Sequence, residues 1–95
     1  MIEIRLTPAA QRDLDRIWEY SETNWGAQKA QEYVESIRAT LVAARAEQRV
    51  RKFVSSRNGY FKSNAGKHVI YYKITDTHLD VVRILHGRMD PERHL

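Results

Sequence analysis

The spacing of apolar residues changes once along this 95-residue chain, and that change constrains the fold more than any single motif. From residue 8 to about residue 48 they recur every three or four positions, the period of helices. From residue 60 onward they form short runs rich in Val, Ile, Tyr and Phe with turn residues between, the habit of strands. Ahead of both, Ile2, Ile4 and Leu6 alternate with Glu3 and Arg5, which predicts a strand with one wet face. Thr7 supplies an N-cap hydroxyl and Pro8 the preset φ of a first helical position. The helix that starts there turns Ala10, Leu14, Ile17 and Trp18 toward the core, and its pattern weakens over residues 21–26, where Asn24 and Gly26 predict a turn. A second helix from Ala27 carries Ala30, Val34, Ile37, Leu41 and Ala44 on one stripe.

The second half predicts strands at 60–63, 68–74 and 79–86, with turns at 64–66 and 76–78. Turns this short join antiparallel neighbours. The order β-α-α-β-β-β describes one α+β domain spanning residues 1–95: an N-terminal strand, an antiparallel helical hairpin, then a three-stranded antiparallel sheet. The hairpin is expected on one sheet face, and the other face is expected to be bare.

Several function classes drop out early. Without cysteine the chain has no disulfide, thiolate nucleophile or thiolate metal site, and His68, His78, His86 and His94 make no zinc spacing, so neither metal nor cofactor is expected. No secretory pattern or membrane-length apolar run is present, which predicts a soluble, cytoplasmic protein. Charge is divided unevenly. Residues 1–48 hold six Lys/Arg against eight Asp/Glu, and residues 49–95 hold ten against four. Such a basic half suits an acidic partner, nucleic acid or protein, although a solvated basic surface has the same composition.

Alternation on the last two strands sets the candidate residues. With Val82 and Ile84 toward the helices, Arg83 and Leu85 fall on the open face, because an unpaired arginine beneath the helices would be very costly. With Ile70, Tyr72 and Ile74 inward, Tyr71 and Lys73 join Arg83 outside. Arg57, Lys62 and Arg88 complete an expected basic groove with an aromatic in it. Each residue has a plainer reading. Arg83 can pair with Asp80, Asp90 or Glu92; His86 can be a hydrogen-bonded strand end; Tyr71 and Tyr72 suit any sheet; Trp18 and Trp25 can be hairpin packing, with Trp25 the one suited to anchoring a partner.

The segments LTPAAQRDLDRIWEY, NWG, GYFK, GKHVIYYKI and VVRILHGRMDPERHL together resemble the ParE toxins of bacterial toxin–antitoxin pairs, within the larger RelE/ParE family. The resemblance covers nearly the whole chain, and ILHGRMD is its most specific part. It implies the same fold, a helical hairpin on an antiparallel sheet. It also implies one of two activities: ribosome-dependent cleavage of messenger RNA, as in RelE-like members, or inhibition of DNA gyrase with its cleaved DNA complex trapped, as in ParE-like members. Many ribonuclease relatives carry a His-Tyr-like pair after the last strand; here Arg88 and Met89 stand there, before Asp90, and no tyrosine follows Tyr72. Cleavage needs a base and an acid as well as cations, and arginine supplies only the cation.

The expectation is therefore a non-enzymatic gyrase inhibitor of the plasmid-maintenance type, with Arg57, Lys62, Tyr71, Arg83, His86, Arg88 and Met89 as candidate contacts for gyrase or another partner. A cognate antitoxin with a DNA-binding N-terminal part and an acidic C-terminal tail would neutralise it in a hetero-oligomer. An endoribonuclease using His86 or His68, and a non-toxic co-repressor module, are the alternatives.

Overall fold

Thr7 joins the two halves of the architecture. In the computed structural model, which describes residues 2–47 and 51–95, its Oγ1 accepts the N–H of Ala10 at 3.1 Å and donates to the Val82 carbonyl at 2.8 Å. One side chain thus caps helix α1 (Pro8–Trp25) and ties it to the last strand. Strand β1 (Glu3–Leu6) precedes the cap, and α2 (Ala27–Ala46) follows after the single residue Gly26, at φ +91°. Then come β2 (Lys52–Phe53), β3 (Phe61–Ala65), β4 (His68–Ile74), β5 (His78–His86) and a 3₁₀ turn at Pro91–Arg93.

The expected turn over 21–26 shrinks to Gly26 alone. The inward stripe of α1 is Ala10, Asp13, Ile17 and Ser21, so two of its four buried members are polar and the helix continues where apolar spacing lapses. Trp18 and Val34, expected in the core, are only half-buried. On α2 the buried stripe is Ala30, Ile37, Leu41 and Ala44.

The sheet has five strands in the order β1-β5-β4-β3-β2. β1 runs parallel to β5, Glu3 opposite His78 and Leu6 opposite Val81, while the remaining neighbours are antiparallel. β3 extends to Ala65, so the turn expected at 64–66 is the two-residue Gly66–Lys67, with Ala65 opposite His68. Glycine in first place at φ +57° suits such a hairpin. β2 was not expected, because two residues carry no periodicity.

Simple alternation fails on β5. Tyr71 is opposite Arg83 but Tyr72 is opposite Val81, so Val82 is the extra residue of a bulge. Leu79, Val81 and Ile84 consequently all join the core beneath the helices with Ile70 and Tyr72, and Val82, expected inward, is only half-buried. Tyr72 is fully buried, and its hydroxyl is satisfied by Ser63 Oγ at 2.8 Å.

The opposite face is not bare. Val54, Tyr71 and Leu85 form a second small core there, with Tyr60, Val69 and Leu95 packed around it. The segment leading into β3 and the C-terminal segment cover apolar positions that alternation alone leaves exposed. Among the described residues no helix is long and apolar enough to cross a membrane.

Candidate functional site

Between the helical hairpin and the ends of β4 and β5 lies a groove of about 960 Å³. The almost fully buried Ile17 and Ile84 are among its lining, and Arg16, Lys29 and Lys67 bring positive charge to it. Tyr20 and Trp25, 63% and 59% exposed, line it as an edge-to-face pair with ring centroids 5.6 Å apart. Aromatic pairs this exposed leave apolar area in water, which is common at partner surfaces.

At one wall Asp13 meets Arg83. Nε and Nη2 of Arg83 donate to the two carboxylate oxygens at 2.7 and 2.8 Å, and Asp13 also accepts the N–H of Ile84 at 3.0 Å. β1 pairs with β5 only as far as Val81, so this strand N–H has no ladder partner and the helix carboxylate satisfies it. Nη1 of Arg83 donates to the His94 carbonyl at 3.2 Å, which ties down the C-terminal segment. The hydrogen bond to Asp13 raises the Arg83 pKa further, against the desolvation that lowers it.

Elsewhere along the groove three side chains distant in sequence meet. The Tyr33 hydroxyl lies 2.6 Å from His68 Nδ1, accepts the N–H of Lys67 at 2.9 Å, and lies 3.3 Å from the Ala65 carbonyl. The hydroxyl accepts from Lys67, and the His68 tautomer decides whether its own proton goes to the ring or to the Ala65 carbonyl. His68 stands opposite His86, their rings edge-to-face at 5.5 Å. His86 Nδ1 accepts the N–H of Arg88 at 3.2 Å. Burial lowers the His68 pKa, the nearby His86 lowers it further, and Asp13 opposes both.

The seven candidate residues do not form one site. Arg83, His86 and Met89 line the groove, but Arg83 is held by Asp13, a partner outside the expected Asp80, Asp90 and Glu92. Tyr71, expected on an open face, is buried in the second core, and its burial, with the charge of Asp90, raises its phenol pKa. Arg57 donates to the Leu95 carbonyl oxygen and lies 5.6 Å from the Tyr60 ring centroid. Lys62 stands beside Tyr71 on the face away from the helices. Arg88 and Met89 are exposed in the turn after β5. A continuous basic groove across the sheet is therefore replaced by a groove at the hairpin and a separate basic strand face.

Tyr33, Tyr20 and Asp13 were missed. Tyr33 and His68 are 35 residues apart, and no local spacing links them. Asp13 did carry a signal: it shares the inward stripe with Ala10 and Ile17, and a buried carboxylate requires a cationic partner.

Comparison with known proteins places this geometry. The family described as "ParE toxin of type II toxin-antitoxin system, parDE" matches residues 4–91. Toxin ParE1 of Mycobacterium tuberculosis is 38% identical over 92 residues, covering 95% of this chain and 94% of the relative. Toxin ParE1 of Caulobacter vibrioides is 34% identical over 92 residues, covering 96% and 95%. Among solved structures, the chromosomal ParDE toxin–antitoxin system of P. aeruginosa superposes with a TM-score of 0.77 at 18% identity, covering 90% of this chain and 96% of that one, which supports the fold.

Proposed function

The chain belongs to the ParE toxin family of type II toxin–antitoxin systems, and from that premise we propose that it inhibits DNA gyrase by docking on it rather than by catalysing a reaction. The observation that carries this reading is the turn directly after β5. Arg88 is exposed there with no side-chain ion pair among the described residues, and Met89 is 38% exposed beside it. A guanidinium with no ion pair beside an exposed thioether suits a contact surface, and arginine itself supplies charge rather than acid–base chemistry. Tyr33, His68 and His86 hydrogen-bond to one another or to the Lys67 and Arg88 backbone, which braces the hairpin ends.

The groove at the helical hairpin suits the antitoxin. Its exposed aromatic pair offers what an amphipathic segment needs, and Arg16 and Lys67 complement acidic side chains on that segment, while Lys29 is paired with Glu32 at 3.9 Å. The P. aeruginosa relative is itself part of a toxin–antitoxin system, which supports a partner of this kind. This moves the expected tail from the strand face to the groove.

Supercoiling by purified gyrase tests the proposal, using wild type, Arg88→Glu and His86→Ala, each checked for folding, beside a ribosome-bound mRNA cleavage assay. Inhibition by wild type and His86→Ala, and its loss in Arg88→Glu, is the expected result. A wild type that cuts mRNA and leaves supercoiling untouched overturns it.

A further inference from the structure

The sheet face away from the helices carries a rung of like charge. Lys52 on β2 stands directly opposite Lys62 on β3, and Lys62 opposite Tyr71 on β4. Like charges so opposed repel and weaken the pairing. Nothing on these strands relieves them: residues 51–74 hold Arg51, Lys52, Arg57, Lys62, Lys67 and Lys73 and not one Asp or Glu. Lys73 lies two residues beyond Tyr71 on the same face, its ammonium 4.7 Å from the Tyr60 ring centroid. Asp80, opposite Lys73 on β5, is already engaged by Arg5 at 2.5 Å.

We infer that the Lys52–Lys62 rung, with Lys73 beside it, is a docking surface for the phosphate backbone of duplex DNA. Two features select this partner. An amphipathic peptide needs apolar anchors, and the apolar residues of this face, Val54, Tyr71 and Leu85, are consumed in the second core. A single strand gains most from free aromatic faces, and here Tyr71 is buried while Tyr60 lies between Arg57 and Lys73, at 5.6 and 4.7 Å from its ring centroid. What remains is a set of ammonium groups on flexible stems, which reach phosphates and read no bases. The inference rests on the gyrase reading only for its setting, since a toxin seated on gyrase meets DNA held by the same enzyme. The binding itself requires no gyrase.

Fluorescence anisotropy with a labelled duplex and toxin alone tests it, comparing wild type, Lys52→Ala/Lys62→Ala, and Arg12→Ala/Arg38→Ala, which removes equal charge from exposed helix positions. Each lost phosphate contact reduces the slope of log affinity against log salt by about 0.9, so between 50 and 200 mM salt wild type should lose about tenfold more affinity than the strand pair. The helix pair should follow wild type. Lys52→Glu should also weaken binding while its melting temperature holds or rises, since it replaces a repulsive rung with an attractive one. Equal losses from both pairs, or binding of polyglutamate in place of duplex, overturns the inference. Wild type that inhibits gyrase without binding duplex refutes this surface and leaves the proposed function standing; duplex binding through these lysines without gyrase inhibition does the reverse.

Discussion

Asp13 and Arg83, seventy residues apart, form a two-point ion pair at 2.7 and 2.8 Å whose carboxylate also holds the N–H of Ile84. The Asp13 side chain is 7% exposed and that of Arg83 19%. Removing one partner of a buried pair costs far more than the pair contributes, because it strands a desolvated charge. Asp13→Ala should therefore lower unfolding stability by about 2–4 kcal/mol, somewhat below a fully buried case because the groove admits some water. Asp80→Ala breaks the exposed pair with Arg5 and should cost far less than Asp13→Ala. Urea unfolding of the two variants checks this, and equal losses would show that the Asp13 pair is no more than a surface contact.

How far the sequence discloses this arrangement differs from residue to residue. Element types follow from periodicity wherever one face is apolar: Thr7-Pro8 marks the start of α1, and Ile70, Tyr72 and Ile84 lie in the core as alternation places them. Alternation misplaces Val82 because a bulge resets the count, and a bulge is decided by the partner strand. The same holds for the covered face, since nothing local to Tyr71 reveals that Val54 and Leu95 lie over it. For the site, His86 and Met89 stand out in the sequence as contact candidates but not as members of a groove at the hairpin, and Tyr33 enters only through tertiary contact.

Acid should loosen the hairpin ends through His68. Its folded-state pKa is lowered by burial and by His86, so the folded protein prefers the neutral ring. The sign follows directly. Stability from this group is full above the unfolded value, about 6.5, and falls as pH drops from there through the folded value, where the unfolded chain binds the proton more readily. The ring whose charge changes is hydrogen-bonded through Nδ1 to the Tyr33 hydroxyl at 2.6 Å. Chemical denaturation across pH 5–8 should show this slope in wild type and a flatter one in His68→Gln. An unchanged slope in that variant would assign the acid sensitivity to other groups.

Gly66 is constrained twice. It sits at φ +57°, and a Cβ there would lie 2.7 Å from Cε1 and 2.8 Å from the hydroxyl of Tyr33. Gly59, at φ +81° with nothing within 4 Å of an added Cβ, carries the backbone constraint alone. Gly59→Ala should cost about 1 kcal/mol, and Gly66→Ala distinctly more because Tyr33 must also leave the turn. In a double-mutant cycle with Tyr33→Ala the excess should vanish. Additive losses would mean that Tyr33 does not brace the turn.

The groove and the strand face make opposite demands on an antitoxin, and one exposed aromatic separates them. Trp25 is 59% exposed, contacts Tyr20 edge-to-face, and lines the groove far in sequence from the lysines of β2 and β3. Large aromatics that become buried on association carry much of the binding energy, whereas exposed rim charges chiefly set the on-rate. If the antitoxin segment occupies the groove, Trp25→Ala should weaken antitoxin binding by about 2 kcal/mol or more, mainly by faster dissociation. Its effect on toxin stability should be small, since the ring is already largely in water. Lys52→Ala/Lys62→Ala should leave antitoxin affinity nearly unchanged. Surface plasmon resonance with the cognate antitoxin reads both rate constants, and the reverse pattern, with affinity lost in the lysine pair and kept in Trp25→Ala, would return the antitoxin to the strand face.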